Sequence, residues 1–472
     1  MIGKKFLKNA SLLAFASAVS QAVLVAATPF LTRLYSPEQF GHFAAFLAVL
    51  SVLGVLATMR YEVAIALPES DEDSDLILIL CMAIVAAVTV ITAVSVLVAH
   101  EFVAQNGIDR LYFLLPVGLF LTGLYQAMSY RALRGNAFRT VGVTRVTQSI
   151  ATVILQLAAF KMGSVGLISG HVAGRAVGML SLARITTGNF AALVKRSNIA
   201  RCWNLAVEYR NFPIFSTSAG FVNQLSGNVL PLVLVAVYGP ASAGLYALAA
   251  RVVAAPSTLI GGAISDVFLP GAAAAHRTTG FTPMVESANT ALIRLGVPPA
   301  FLLAVIAPDL FQLVFGAAWA EAGDIARWLV PWLLLALISA PISTVCGILG
   351  RQRSNLIFQT CLLAVRIGAI GAGVAMDDPR LTIIMFSAVS AVAYAWFWGW
   401  LMRLSGVSIQ RQVEEMLKAT GISILLASPA IYYEFLSEGH SIGEFIGWFA
   451  VSSVMILAWC LMTIRKIVGS SE

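Results

Sequence analysis

The sequence predicts an all-α, polytopic membrane protein of about fourteen transmembrane helices. Of its 472 residues 59% are hydrophobic and only 11% charged, whereas a soluble chain of this length carries charge over far more of its surface. Fourteen runs each approach or exceed the ~20 apolar residues that cross a hydrocarbon core, and between them they leave little room for a soluble domain.

Span 1 (residues 9–30) follows Lys4, Lys5 and Lys8; it is too long for a signal-peptide core and lacks a small-residue cleavage site, so it reads as an uncleaved first span. Span 2 (42–67) follows the Tyr35-Ser-Pro37 turn, and span 3 (76–99) follows an acidic run. Spans 4 to 6 (111–133, 141–160, 164–185) precede the longest loop, roughly 186–211, which is basic. Spans 7 and 8 (212–238, 242–270) flank Tyr238-Gly-Pro240, and the remaining spans are 288–307, 326–349, 354–376, 380–402, 417–436 and 442–464.

Basic loops stay cytoplasmic. With the N-terminus inside, 21 of the 30 basic residues fall on the cytoplasmic side, and Arg33, Arg110, Lys161 and Arg380 on the other. Both termini are therefore expected in the cytoplasm, and the net charge of +7 reads as topogenic bias reinforced by anionic lipid, not as a nucleic-acid signal.

The five cysteines show no CxxC spacing, and neither disulfides, a metal site nor any cofactor is expected. Glu69-Ser-Asp-Glu-Asp-Ser-Asp75 lacks the glycine and distal glutamate of an EF-hand loop, so it is expected to be a solvated loop that starts span 3.

A shift of 203 residues lays Tyr35-Ser-Pro37-x-x-x-Gly41 on Tyr238-Gly-Pro240-x-x-x-Gly244, and Gln21 on Gln224. This moves span 1 onto span 7, an even displacement of six helices, so the halves read as parallel repeats with a site between them near the midplane. The expected organisation is a six-helix lobe over 1–205, a second over 206–408, and two appended helices over 409–472.

No P-loop, H-E-x-x-H, G-x-S-x-G or dinucleotide fingerprint occurs, and the outer loops are short, which weakens an integral glycosyltransferase or polymerase. Gly166, Gly170, Gly174 and Gly178 read as close helix packing. Charge inside spans is the sharper signal, since a central arginine costs ~2.5–3.5 kcal/mol on insertion scales. Arg175 and Arg366 lie near span centres and Arg251 about nine residues into span 8, while Arg60 and Glu62 lie near the inner end of span 2. The four arginines are candidates for a cationic cavity that receives an anionic group. Two residues apart on one helix, Arg60 and Glu62 are not expected to face each other. Glu62 and Asp266 are candidates for coupling or ion pairing. Gln21, Asn223, Gln224 and Asn228 are candidates for contacts with sugar hydroxyls, and Pro29 and Pro231 for hinges in spans 1 and 7.

Several segments resemble the Wzx-type polysaccharide flippases of the multidrug/oligosaccharidyl-lipid/polysaccharide exporter superfamily. They are Phe30-Leu-Thr-Arg-Leu-Tyr-Ser-Pro-Glu-Gln-Phe-Gly41, Arg60-Tyr-Glu-Val-Ala-Ile-Ala-Leu-Pro68, Gly244-Leu-Tyr-Ala-Leu-Ala-Ala-Arg251 with Pro256, and Ala307-Pro-Asp-Leu-Phe-Gln-Leu-Val-Phe-Gly-Ala-Ala-Trp319. The resemblance implies two six-helix lobes, alternating access, and an undecaprenyl-diphosphate-linked oligosaccharide as cargo in the bacterial inner membrane. A polysaccharide polymerase and export machinery are the implied partners. Many relatives carry an acidic residue in span 7 where this chain has Asn223 or Asn228, so direct cation coupling there is not implied. The alternatives are a lipid II flippase or a drug/cation antiporter of the same superfamily.

Overall fold

The computed structural model describes residues 4–103, 112–186, 199–256, 280–436 and 442–469, and among these every regular element is helical. Among the described residues, eleven helices are long and apolar enough to cross a membrane. The other three predicted runs are helical as well: Leu114–Arg134 for span 4, Pro240–Pro256 for the described part of span 8, and Ile409–Leu426 with Ser428–Leu436 for span 13. The chain is a multi-pass membrane protein, and it forms two compact units, Met1–Gly244 and Leu245–Glu472.

The first unit comprises α1 (Lys4–Leu34), α2 (Pro37–Ala57), the single turn α3 (Tyr61–Ala64), α4 (Asp71–Val103), α5 (Leu114–Arg134), α6 (Phe138–Ala158), α7 (Ser164–Thr186), α8 (Ile199–Glu208), α9 (Thr217–Tyr238) and the start of α10 (Pro240–Pro256). Ser36 opens α2 with a capping box, its side chain accepting from Gln39 N while Gln39 answers to Ser36 N, and Pro37 occupies the first turn where no donor is needed. The glycine stripe of α7 lies directly on α6. Added Cβ atoms at Gly166 and Gly174 would overlap Ala159 and Thr152, and one at Gly170 would lie 2.8 Å from Gln156 N. Tyr35 Oη, which donates to Gln156 O at 2.6 Å, ties the end of α1 to the same pair.

Two expectations are corrected here. Span 2 does not run on to residue 67. Helix α2 stops at Ala57, and Met59 and Arg60 follow with φ of 48° and 62°, a left-handed conformation that costs an L-residue roughly 1–2 kcal/mol. The acidic run is not a solvated loop either. Asp71 to Asp75 form the first turn of α4, where Ser70 Oγ accepts from Asp73 N, and carboxylates there complement the positive helix end. Arg134 Nε donates to Asp71 at 3.0 Å, Arg131 Nε to Asp75 at 2.5 Å, and Arg201 forms two bonds to Asp73. Among the described residues no acidic or His/Cys cluster is fit to hold a metal.

The second unit is built on α11 (Phe281–Phe315), which packs against α12 (Ala320–Ser343), α16 (Ile409–Leu426), α17 (Ser428–Leu436) and α18 (Ile442–Gly469). The short α13 (Val345–Ile348) precedes α14 (Gln352–Ala375), which pairs with α15 (Pro379–Leu404). The final helices are pinned to this unit by polar contacts, some buried and some half-exposed. Asn289 Nδ2 donates to Gln412 Oε1 at 2.5 Å, Trp398 Nε1 donates to Asn289 Oδ1 at 3.0 Å, Arg294 bonds Glu415 at 2.6 Å, and Arg327 pairs with Glu434.

Candidate functional site

A polar cavity of about 350 Å³ opens inside the first unit, within the range of small-ligand sites. Helix α2 supplies Leu47, Leu50, Ser51, Gly54 and Val55, the turn after it Arg60 and Glu62, α5 supplies Thr122 and Gln126, α7 His171 and Arg175, and α9 Gln224. Four of the predicted site residues therefore meet in one place: Arg60, Glu62, Arg175 and Gln224.

The left-handed turn explains how Arg60 and Glu62 approach each other. Because Arg60 precedes α3 instead of lying within a helix, its Nη1 reaches Glu62 Oε1 at 3.9 Å, against the expectation from helical spacing. Glu62 is 3% exposed and accepts a 2.5 Å bond from Thr58 Oγ1. The guanidinium of Arg60 lies against Gly220 of α9, where a Cβ would come within 2.9 Å of Nη2. Arg175 sits 5.6 Å from the Tyr125 ring centroid. With the Gln148 amide turned so that its oxygen faces the guanidinium, Arg175 donates to it from Nε at 3.3 Å and Nη1 at 3.1 Å.

Thr122 Oγ1 and Gln126 Oε1 are buried and have no hydrogen-bond partner among the described residues. Unmade hydrogen bonds of this kind are costly in a poor solvent. The cavity thus combines two planar cationic forks, whose donors match phosphate oxygens, with one carboxylate, a histidine and uncharged polar groups.

The other predicted residues lie elsewhere. Asn223 is exposed, and Asn228 turns its amide onto Gln224 O at 2.8 Å within α9. Gln21 is half-buried on α1 and does not line the cavity. Arg251 is half-buried on α10, Asp266 lies outside the described residues, and Pro29 and Pro231 sit inside the helices α1 and α9. Arg366 is 3% exposed and enclosed by aromatic rings of the second unit, its Cζ 4.7 Å from the Phe386 centroid and 5.1 Å from that of Trp332, with Nε donating to Ser390 Oγ at 2.9 Å.

Sequence reasoning missed Ser51, Thr122, Gln126 and His171. A signal was present: Thr122 and Gln126, like His171 and Arg175, are four apart in otherwise apolar helices and share a face.

Residues 30–324 match the model of a family described as polysaccharide biosynthesis protein, more than half of the chain. The chain belongs to this family. No curated protein sequence matches it. Among solved structures, it is similar to the lipid II flippase MurJ in an inward closed conformation, with a TM-score of 0.73 at 15% identity, over 97% of this chain and 99% of that one. It is also similar to an inward-facing multidrug resistance MATE family transporter of the MOP superfamily, with a TM-score of 0.62 at 17% identity, over 86% and 96% of the two chains. A MOP superfamily transporter from Pyrococcus furiosus, with a binding pocket of reversed polarity, gives a TM-score of 0.56 at 15% identity, over 85% and 96%. At these identities the likeness establishes a transporter fold.

Proposed function

We propose that this member of the polysaccharide biosynthesis family is a secondary transporter that flips undecaprenyl-diphosphate-linked oligosaccharide units across the bacterial inner membrane by alternating access. Both termini lie in the cytoplasm, and the product feeds O-antigen, capsule or exopolysaccharide assembly by a polymerase and export machinery. No covalent chemistry is asked of the protein.

The observation that carries this reading is that Arg60 and Arg175 line one polar cavity. A diphosphate takes bidentate hydrogen bonds from both forks, the glycan stays in water, and the polyprenyl chain stays in lipid. The repeat supports two lobes, 1–205 and 206–408, with 409–472 appended and Pro29 and Pro231 as bending points in equivalent helices. Arg251, Gln21, Asn223 and Asn228 are proposed to join the path of the glycan, and Glu62 to act in coupling.

The test is flipping of a fluorescent polyprenyl-diphosphate oligosaccharide in proteoliposomes, per molecule of reconstituted protein. Unchanged rates in both Arg60→Ala and Arg175→Ala would overturn the cationic-cavity mechanism. A second reading, lipid II as cargo, draws support from the fold likeness to a lipid II flippase, and the same assay with lipid II in place of the oligosaccharide separates the two. A drug/cation antiporter fits less well, because the cavity holds two arginines against one carboxylate.

A further inference from the structure

Helix α8 carries an apolar arc wider than the protein covers. At 100° per residue, Leu205, Cys202, Ala206, Ile199, Trp203 and Val207 follow one another around the helix, while Asn204, Glu208 and Arg201 take the remaining side. One half of the arc is docked. Leu205, 2% exposed, enters a cluster with Tyr61, Ile65, Ile77 and Cys81. Cys202 Sγ donates to Leu76 O at 3.6 Å, Tyr61 Oη donates to Ala206 O at 2.9 Å, and the Arg201 fork grips Asp73. The other half is bare: Ile199 is 84% exposed, Trp203 70% and Val207 45%.

Only Tyr209, Arg210 and Asn211 separate α8 from Phe212, where the candidate span Phe212–Tyr238 begins. The bare stripe runs on into Ile214 and Phe215, which are 53% and 65% exposed at the entry to span 7. Arg210 is exposed beside it. We propose that the Ile199–Trp203–Val207 stripe is seated in the headgroup layer of the bilayer face at which span 7 begins, with anionic lipid drawn there by Arg210. A tryptophan on a short amphipathic helix suits that layer, since its ring is apolar and its N–H is wet, and each basic residue near such a surface favours anionic headgroups. This placement does not depend on which cargo is carried.

Trp203 is itself the reporter, and because it is exposed, Trp203→Phe leaves the core untouched. The full chain and this variant are reconstituted into phosphatidylcholine vesicles with or without phosphatidylglycerol, using lipids brominated near the headgroup end of the acyl chain. The Trp203 emission, taken as the difference between the two proteins, should fall at least twofold with brominated lipid, and further when phosphatidylglycerol is present. Quenching by aqueous iodide with none by brominated lipid overturns the proposal. Protection from both quenchers, which means that a protein surface covers the stripe, also overturns it, as does quenching indifferent to phosphatidylglycerol.

Discussion

Gly41 and Gly244 each press against the turn that precedes the other. A Cβ on Gly41 would overlap the carbonyl of Pro240, one on Gly244 would overlap the carbonyl of Pro37, and the latter would also stand 2.9 Å from Gly41 N. The two copies of Tyr-x-Pro-x-x-x-Gly therefore make a reciprocal contact.

Gly41→Ala and Gly244→Ala should each lower stability by about 1–3 kcal/mol, because the obstacle in both cases is backbone and not the tip of a side chain. Gly54→Ala is the control, since nothing lies within 4 Å of its Cβ position. Thermal unfolding of the detergent-purified variants provides the measurement, and equal midpoints for all three would contradict the close packing.

Lysine at Arg60 or Arg175 should retain part of the transport that alanine removes. Charge survives in the lysine variants, but the planar fork is lost, and a hydrogen bond to a charged group is worth about 1.5–3 kcal/mol, or roughly a tenfold to hundredfold weakening. Rates of flipping in proteoliposomes, ordered wild type, lysine, alanine, are the expected result. Arg251→Ala belongs in the same series.

Arg366→Ala should behave differently, lowering the amount of folded protein more than the rate per molecule. Its guanidinium is packed between Phe386 and Trp332, a desolvated cation–π arrangement worth about 2 kcal/mol. Membrane abundance measured beside turnover distinguishes the outcomes, and normal abundance with abolished transport would return Arg366 to the substrate path.

Glu415 is held below the usual carboxylate range, chiefly by its hydrogen bonds from Arg294 and secondarily by that from Lys418. A carboxylate with a depressed folded value stabilises fully above its unfolded value and loses that contribution as pH falls through the folded one. The thermal midpoint of the wild type should therefore exceed that of Glu415→Gln at pH 7 and converge with it as the medium is acidified below about pH 4. A gap that persists in acid would show that the pair is not ionic.

Arg327 and Glu434 should be coupled in a double-mutant cycle by about 0.5–3 kcal/mol, because breaking one side of a poorly solvated pair strands the other. Additive losses in unfolding midpoint would show that α17 is not anchored to α12 through this contact.

The helical, membrane-embedded fold was legible because apolar runs of spanning length are a strong signal, and each predicted run contains helix where the structure describes it, although span 2 ends early at Ala57. The cavity was legible only through its charges. Arg60, Arg175, Glu62 and Gln224 stand out in apolar surroundings, whereas Thr122, Gln126 and His171 acquire meaning once α5 and α7 are brought together. The pairing of Arg60 with Glu62 was hidden for a different reason: no glycine marks the left-handed turn at Met59 and Arg60, so local sequence pointed to uninterrupted helix.

The glycine stripe on α7 has a mechanical meaning. With the α7 backbone pressed onto that of the α6 segment at Gly166, Gly170 and Gly174, the two helices have little side-chain layer between them to shear, so they are expected to form one plank that tilts as a whole. Arg175 projects from this plank, whereas Arg60 projects from the strained turn after α2. The spacing of the two forks is then set by how that turn is held, and paired spin labels on α6 and α7 should keep a fixed distance throughout the transport cycle while a label beside Arg60 moves relative to both.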